Sequence, residues 1–425
     1  MRSLTATGFA LLGAVLIATS YGLARFAFGL FVPQIRDELA LAPSVIGYLG
    51  ALPFISFVLA SLIAPWAADR TGARNTAVLS GLFAVLGLVL IATAASPLAL
   101  AAGVFACGIC TGLMMPALTA AMQALVKREL HGRVSAVMNA GTSIGVCFAV
   151  PTVLFLADAW RIGYFSFAVL AALATVAAFF LLPSVSKVVP ANAAPPPPIS
   201  VLQWSRLFRL SLFAFVMGFV AAAYWIFAPD LVVTLGELPS SQTAWLWLAV
   251  GVAGLSGAVV SDLADRNNPP ITHALLLVML SASLALLAAS PDRVFLAAFS
   301  ALVFGGAYMS LTGLYLLTGI RLLPGRWRLA VLPFMACAIG QAAGSPVVGL
   351  LVSEFGYAGA FSIFSAIGIL VAIASPLYPR YLEIEEEVVP EDTGLQAAYD
   401  YQLQDEEGEP LVIETEETAE EMVLD

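Results

Sequence analysis

Asp69-Arg70-Thr71-Gly72-Ala73-Arg74 is a hydrophilic hexapeptide between two long stretches without a charged residue, 39–68 and 75–126. An Asp-Arg pair recurs 196 positions later as Asp265-Arg266. At the same offset Gly22 meets Gly218, Pro33 meets Pro229, and Pro43-Ser44 meets Pro239-Ser240. Asp158 likewise meets Glu354, and Phe165 meets Phe361. A slip of two or three residues adds Ser96-Pro97 with Ser290-Pro291, and Gly132-Arg133 with Gly325-Arg326. One offset that aligns charges, prolines and an acidic helix end marks an internal repeat.

The repeated unit is built for lipid. The chain is 60% hydrophobic and 11% charged, where soluble proteins carry about 25% charged residues. Further charge-free stretches run over 3–24, 134–157, 162–186, 210–229, 238–261, 267–291, 294–320, 329–353 and 355–379. A spanning helix needs ~20 apolar residues, so each stretch is one span. The stretch 75–126 is broken at Ser96-Pro97 and makes two. The expected fold is therefore an all-α integral membrane protein, with twelve transmembrane helices in two six-helix pseudo-symmetric bundles. The bundles are expected over 1–183 and 206–382. Residues 184–205, with Lys187, Pro190 and Pro195-Pro196-Pro197-Pro198, read as a linker. The apolar N-terminal run is too long for a cleavable signal and reads as span 1.

Charge then fixes orientation and sets the tail apart. Of the 28 Asp and Glu, 17 follow Pro376, against Arg380 alone among basic residues. Residues 383–425 are thus expected to be an acidic, disordered extension. They are either a solvated end or a docking segment for a cytosolic partner. With the N-terminus in the cytoplasm, fourteen of the eighteen Lys and Arg fall on the cytoplasmic side. Both termini then face the cytoplasm, and the expected location is a plasma membrane of the bacterial inner-membrane type.

The loop after span 2 resembles the signature loop of the major facilitator superfamily: Gly-x-x-x-Asp-Arg/Lys-x-Gly-x-Arg/Lys-Arg/Lys. Pro65 replaces its leading glycine and Asn75 its last base. The second half keeps only Asp265-Arg266. This resemblance covers residues 1 to about 382 and implies the superfamily fold and a secondary transporter working by alternating access. It also implies a conformational gate: Asp69, Arg70, Gly72, Arg74, Asp265 and Arg266. Asp69 would face the N-terminal end of span 11, where a helix dipole favours a carboxylate. In the same resemblance the substrate path lies between the halves, lined mainly by spans 1, 4, 7 and 10.

Within span 1 stands Tyr21-Gly22-Leu23-Ala24-Arg25-Phe26. Arg25 is the one charge inside a helix core before the tail, and its repeat equivalent is Ala221. A mid-membrane arginine costs about 2.5–3.5 kcal/mol or more and asks for a partner or a wet cavity. No Asp or Glu lies in any span core. Arg25 therefore reads as a receptor for an anionic group through charge-assisted hydrogen bonds. The plain alternative is an arginine bonded to backbone carbonyls or snorkelling to water. Tyr21, Asn139, Tyr224, Trp225, Tyr308 and Gln341 join it as candidate substrate-binding residues. Thr142, Ser143 and Thr312 read better as packing.

Other motifs point away from chemistry. Gly141-Thr-Ser143-Ile-Gly145 matches a nucleophile elbow in letters only, inside a membrane span. Cys107-Gly-Ile-Cys110 lies mid-span, so it reads as small apolar packing. His131 and His273 read as cytoplasmic-side residues and not a metal pair. No enzyme activity, cofactor, metal or nucleic-acid partner is expected. The expected solute is a small organic anion, carboxylate-like, with proton coupling implied only by the resemblance. The alternatives are an exporter of drug-like or lipid-like amphiphiles and a non-transporting membrane sensor. A monomer in the lipid bilayer is expected. Gly108/Gly112, Gly141/Gly145 and Gly340/Gly344 are i, i+4 pairs suited to close helix contact.

Overall fold

A computed structural model describes residues 5–156, 159–182, 198–255, 268–323 and 326–380. Asp265, Arg266, Asp158, most of the expected linker and the acidic tail lie outside the described residues. The first nine helices take the labels α1 (Ala6–Leu30), α2 (Pro43–Thr71), α3 (Ala73–Ala92), α4 (Pro97–Leu125), α5 (His131–Leu156), α6 (Trp160–Leu181), α7 (Val201–Thr234), α8 (Thr243–Gly254) and α9 (Pro269–Ala289). After them come α10 (Val294–Leu322) and a continuous run, Leu332–Ile373, interrupted at Gly356. That run is two helices, α11 (332–355) and α12 (357–373), since Gly356 adopts φ 71°. The result is the all-α membrane fold expected from the charge-free stretches.

Local chemistry sets the helix starts. Thr5 accepts from the Gly8 amide at 3.1 Å, and Ser96 accepts from the Ala99 amide ahead of Pro97. Ser200 and Gln203 cap α7 reciprocally, at 3.1 and 3.0 Å. Such caps satisfy amides that the helix leaves unpaired. Helix α7 thus begins within the stretch expected as linker. The signature hexapeptide differs more from a loop. Asp69, Arg70 and Thr71 belong to the last turn of α2, and Ala73 starts α3. Gly72 alone makes the turn, at φ 83°, a conformation that β-carbon sterics disfavour for other residues.

Packing follows small residues. Gly141 and Gly145 of α5 lie against the backbone of Ala14 and Ala18 in α1. Gly340 and Gly344 of α11 do the same against Phe215 and Phe219 in α7, and Gly108 and Gly112 of α4 against Pro53 and Phe57 in α2. Gly22 meets the Gly145 backbone, and Gly218, 196 positions on, meets that of Cys337. A valine at Gly145 would overlap the Ala18 carbonyl, and overpacking costs about 1–3 kcal/mol. Gly145→Val is therefore expected to lower the thermal midpoint and yield in detergent. The check is a melting curve beside the wild type.

Contacts between the two halves of the chain include three helix pairs. Gly47 of α2 packs on Ser345 and Gly349 of α11, and Phe57 meets Phe334 at 6.0 Å. Gly251 and Gly254 of α8 pack on Cys147 and Ser143 of α5. Gly29 of α1 packs on the Trp225 backbone in α7. The end where α1 finishes and α2 begins is the far end of the molecule, and the end carrying Gly72 is the near end.

Candidate functional site

Helix α1 changes character before Arg25. Residues Ala18–Phe26 form a π-helix between two α-helical segments. Thr19 and Ser20 turn their hydroxyls back onto the Leu16 carbonyl, at 3.1 and 2.7 Å. Side chains that bond backbone carbonyls in this way compete with the regular ladder. Gly22, pressed on α5, leaves no side chain to resist the wider turn. π-Segments of this kind collect at functional sites.

Arg25 lies at the end of that segment, and only 6% of it is exposed. Its guanidinium carbon lies 4.5 Å from the ring centre of Phe54 and 4.6 Å from that of Phe57. Phe26 and Tyr21 are at 5.3 and 5.9 Å. Aromatic faces stabilise a cation by about 0.5–2 kcal/mol each, yet they accept no ordinary hydrogen bond. The Nε–H is buried without an acceptor. Among the described residues no carboxylate pairs with Arg25. The side chain opens on a small cavity with room for about one or two waters. Phe26, Phe28, Gly29, Gly50, Pro53, Phe54, Trp225 and Ile226 complete its lining. The wall thus comes from α1, α2 and α7, across both halves.

Further expected residues gather there. Trp225 sits 4.3 Å from Phe26 and 5.2 Å from Tyr308, ring to ring, with its indole N–H buried and unpartnered. Gln341 donates to the Tyr308 hydroxyl at 2.7 Å, which leaves its own amide oxygen buried and unpartnered. Tyr21 touches the cluster by its ring and spends its hydroxyl on the Thr111 carbonyl, at 2.9 Å. Tyr224 is different, although it adjoins Trp225. It stacks on Phe304 at 4.0 Å and shares a 2.9 Å hydrogen bond with Ser300, inside the packing of α7 with α10. Asn139 is exposed on α5 and joins none of these contacts. His273, near the start of α9, is buried and bonded to Ser375 and Tyr315 at 2.7 and 2.9 Å.

The near end carries the hexapeptide. Arg70 lies over Trp66 at 4.4 Å, and Arg74 over Phe179 at 5.5 Å with its Nε buried.

A second polar centre, absent from the expected site, lies at the far end. Arg36 comes after α1 on a short helix, Val32–Leu39. It donates to Asp230 of α7 at 2.8 Å, to the Tyr357 hydroxyl at 2.6 Å and to Thr234 at 3.1 Å. Tyr357, next to the Gly356 turn, donates to Asp230 as well. Asp230 is fully buried, the sole buried carboxylate among the described residues. Burial works against the Arg36 charge, but Asp230, Tyr357 and Asp37 outweigh it and hold the guanidinium pKa above its ordinary value. The knot joins the first half of the chain to the second. A sequence signal existed: Pro33 and Pro229 are repeat partners, and one member of the pair stands within three residues after each.

The sequence pattern of the Major Facilitator Superfamily matches residues 14–332. No curated protein matches the chain. Among solved structures, the nucleoside transporter NupG superposes with a TM-score of 0.72 at 14% identity, covering 87% of this chain and 99% of its own. A bacterial homologue of the human lysosomal transporter Spinster, inward-facing and unoccupied, gives 0.69 at 17% identity, covering 89% and 97%. A POT family transporter in complex with 5-aminolevulinic acid gives 0.69 at 12% identity, covering 88% and 96%.

Proposed function

This chain belongs to the Major Facilitator Superfamily, a superfamily of secondary transporters, and from that premise we propose that it moves a small organic anion by alternating access. The observation that carries the anion is Arg25, a buried cation with an unpartnered Nε–H on a cavity between α1, α2 and α7. A carboxylate supplies both the missing charge and the missing acceptor. Trp225 adds a second unused donor beside it, and Tyr21, Tyr308 and Gln341 complete the surround. Asn139 and Tyr224 remain outlying candidates. Symport with protons belongs to the same proposal.

The basic bias of the near end supports a cytoplasmic near end and an external far end, both termini cytoplasmic, in a bacterial inner membrane. In this orientation the Arg36–Asp230–Tyr357 knot closes the path from outside. The hexapeptide, with Asp265 and Arg266, is the cytoplasmic gate. Asp69→Asn is then expected to slow uptake severalfold at unchanged abundance. Equal rates for variant and wild type would remove Asp69 from the gate.

The direct test is reconstitution into liposomes and uptake of a labelled monocarboxylate. Saturable uptake, competed by other carboxylates and not by neutral amphiphiles, is the expected result. The apolar lining of Phe26, Phe28, Pro53, Phe54 and Ile226 favours a second reading, an exporter of amphiphiles. Movement of neutral amphiphiles without anions would establish that reading instead.

A further inference from the structure

Resting on Arg25 as the anion site, we propose that the preferred solute is an aromatic monocarboxylate: one flat ring bearing a single carboxylate. Three features of the cavity lead there.

The first is charge. Arg25 is the one ionisable residue in the lining. One carboxylate matches it. A second carboxylate on the same solute would enter a wall of Phe, Trp, Ile, Pro and Gly with no cation to meet it, which apolar surroundings penalise heavily. The second is the donor arrangement. Rings of Phe54 and Phe57 crowd the guanidinium carbon at 4.5 and 4.6 Å but leave its Nε–H without an acceptor. The Trp225 indole N–H faces the same shortage. Two unused donors, carried by two residues of one cavity's lining, suit the two oxygens of a carboxylate.

The third is the wall. Phe26, Phe28, Phe54 and Trp225 supply four aromatic side chains to a lining of nine residues. Aromatic surfaces favour offset or edge-on contact with another ring. Phe54 belongs to α2 and Trp225 to α7, so the slot between them is bounded by helices from opposite halves of the chain. In this structure the cavity holds only about a water or two. Separation of α2 from α7 is the movement that would admit a ring, and a flat solute needs the least separation.

The test is calorimetric titration of the purified full-length protein in detergent with benzoate, acetate, benzamide and terephthalate. Benzoate is expected to bind at least about tenfold more tightly than acetate, with benzamide and terephthalate about tenfold or more weaker than benzoate. Trp225→Phe keeps a ring and removes the N–H, and is expected to weaken benzoate about tenfold. Phe54→Leu keeps apolar bulk and is expected to bring the benzoate-to-acetate ratio down toward unity. Size-exclusion profiles matching the wild type establish that both variants fold. Acetate binding as tightly as benzoate, with both lost in Arg25→Ala, would overturn the aromatic preference and leave the anion reading standing. Binding of benzamide but no carboxylate would overturn both.

Discussion

Arg25→Leu should raise the thermal midpoint of the detergent-solubilised protein while abolishing anion binding. The two effects share one cause. A buried arginine without a counter-ion is unfavourable by at least about 2.5–3.5 kcal/mol on insertion scales. Four nearby aromatic rings return part of this, at about 0.5–2 kcal/mol per well-placed contact. None of them satisfies the Nε–H. Leucine fills much of the same space among Phe26, Phe54 and Phe57 with nothing to desolvate, and even buried ion pairs, whose charges are compensated, are often replaced by apolar residues with no loss or a gain of about 1–4 kcal/mol. Arg25→Lys separates charge from geometry. It keeps the cation but gives up the planar fork, so anion affinity should fall about tenfold or more without vanishing. Melting curves with and without carboxylate read all three proteins. A lower midpoint for Arg25→Leu with anion stabilisation retained would make Arg25 a structural residue.

Arg36→Ala should open the far end, and more so than Asp230→Asn. The asymmetry comes from burial. Asp230 is wholly enclosed, whereas the Arg36 side chain is 17% exposed. Removal of Arg36 leaves a buried carboxylate without its cation, with only the neutral hydroxyls of Tyr357 and Thr234 beside it, and truncating one partner of such a pair costs about 2–5 kcal/mol. Removal of the Asp230 charge leaves an arginine that can turn toward solvent or toward Asp37, 3.3 Å away. The measurement is alkylation of a cysteine introduced at Ile226, a buried position of α7 on the cavity wall, beside the same protein without it. Both variants should label faster than wild type, Arg36→Ala the more so. The exchange of charges, Arg36→Asp with Asp230→Arg, should slow labelling again. Labelling unchanged in every variant would reduce the knot to surface decoration.

Much of the fold was written in the positions of the charges. Stretches free of Asp, Glu, Lys and Arg located the spans, and the 196-residue offset paired them. All three expected glycine pairs make close contacts, because small residues at i, i+4 leave a shallow groove on any helix. The site was harder to read for a reason particular to lipid. In water the polar face of a helix reports its orientation, whereas here every face is apolar. Tyr224 and Trp225 are therefore indistinguishable in sequence, though one residue step separates stacking on Phe304 with a hydrogen bond to Ser300 from a place on the cavity wall. The Arg36–Asp230 pair was missed because both residues looked like ordinary helix-end charges. Their meeting depends on which way two helix ends point. The hexapeptide carried its loop-like polarity into helix, leaving only Gly72 outside.

The π-segment of α1 has a kinematic consequence. Each residue added to or removed from the register of a helix rotates the remainder of that helix by about 100° around its axis. Conversion of Ala18–Phe26 to ordinary α-helical register would therefore turn Arg25 away from Phe54 with no movement of one half against the other. Such a change of register would be a swivel: a screw motion local to one helix, with its bearing at Gly22 on Gly145.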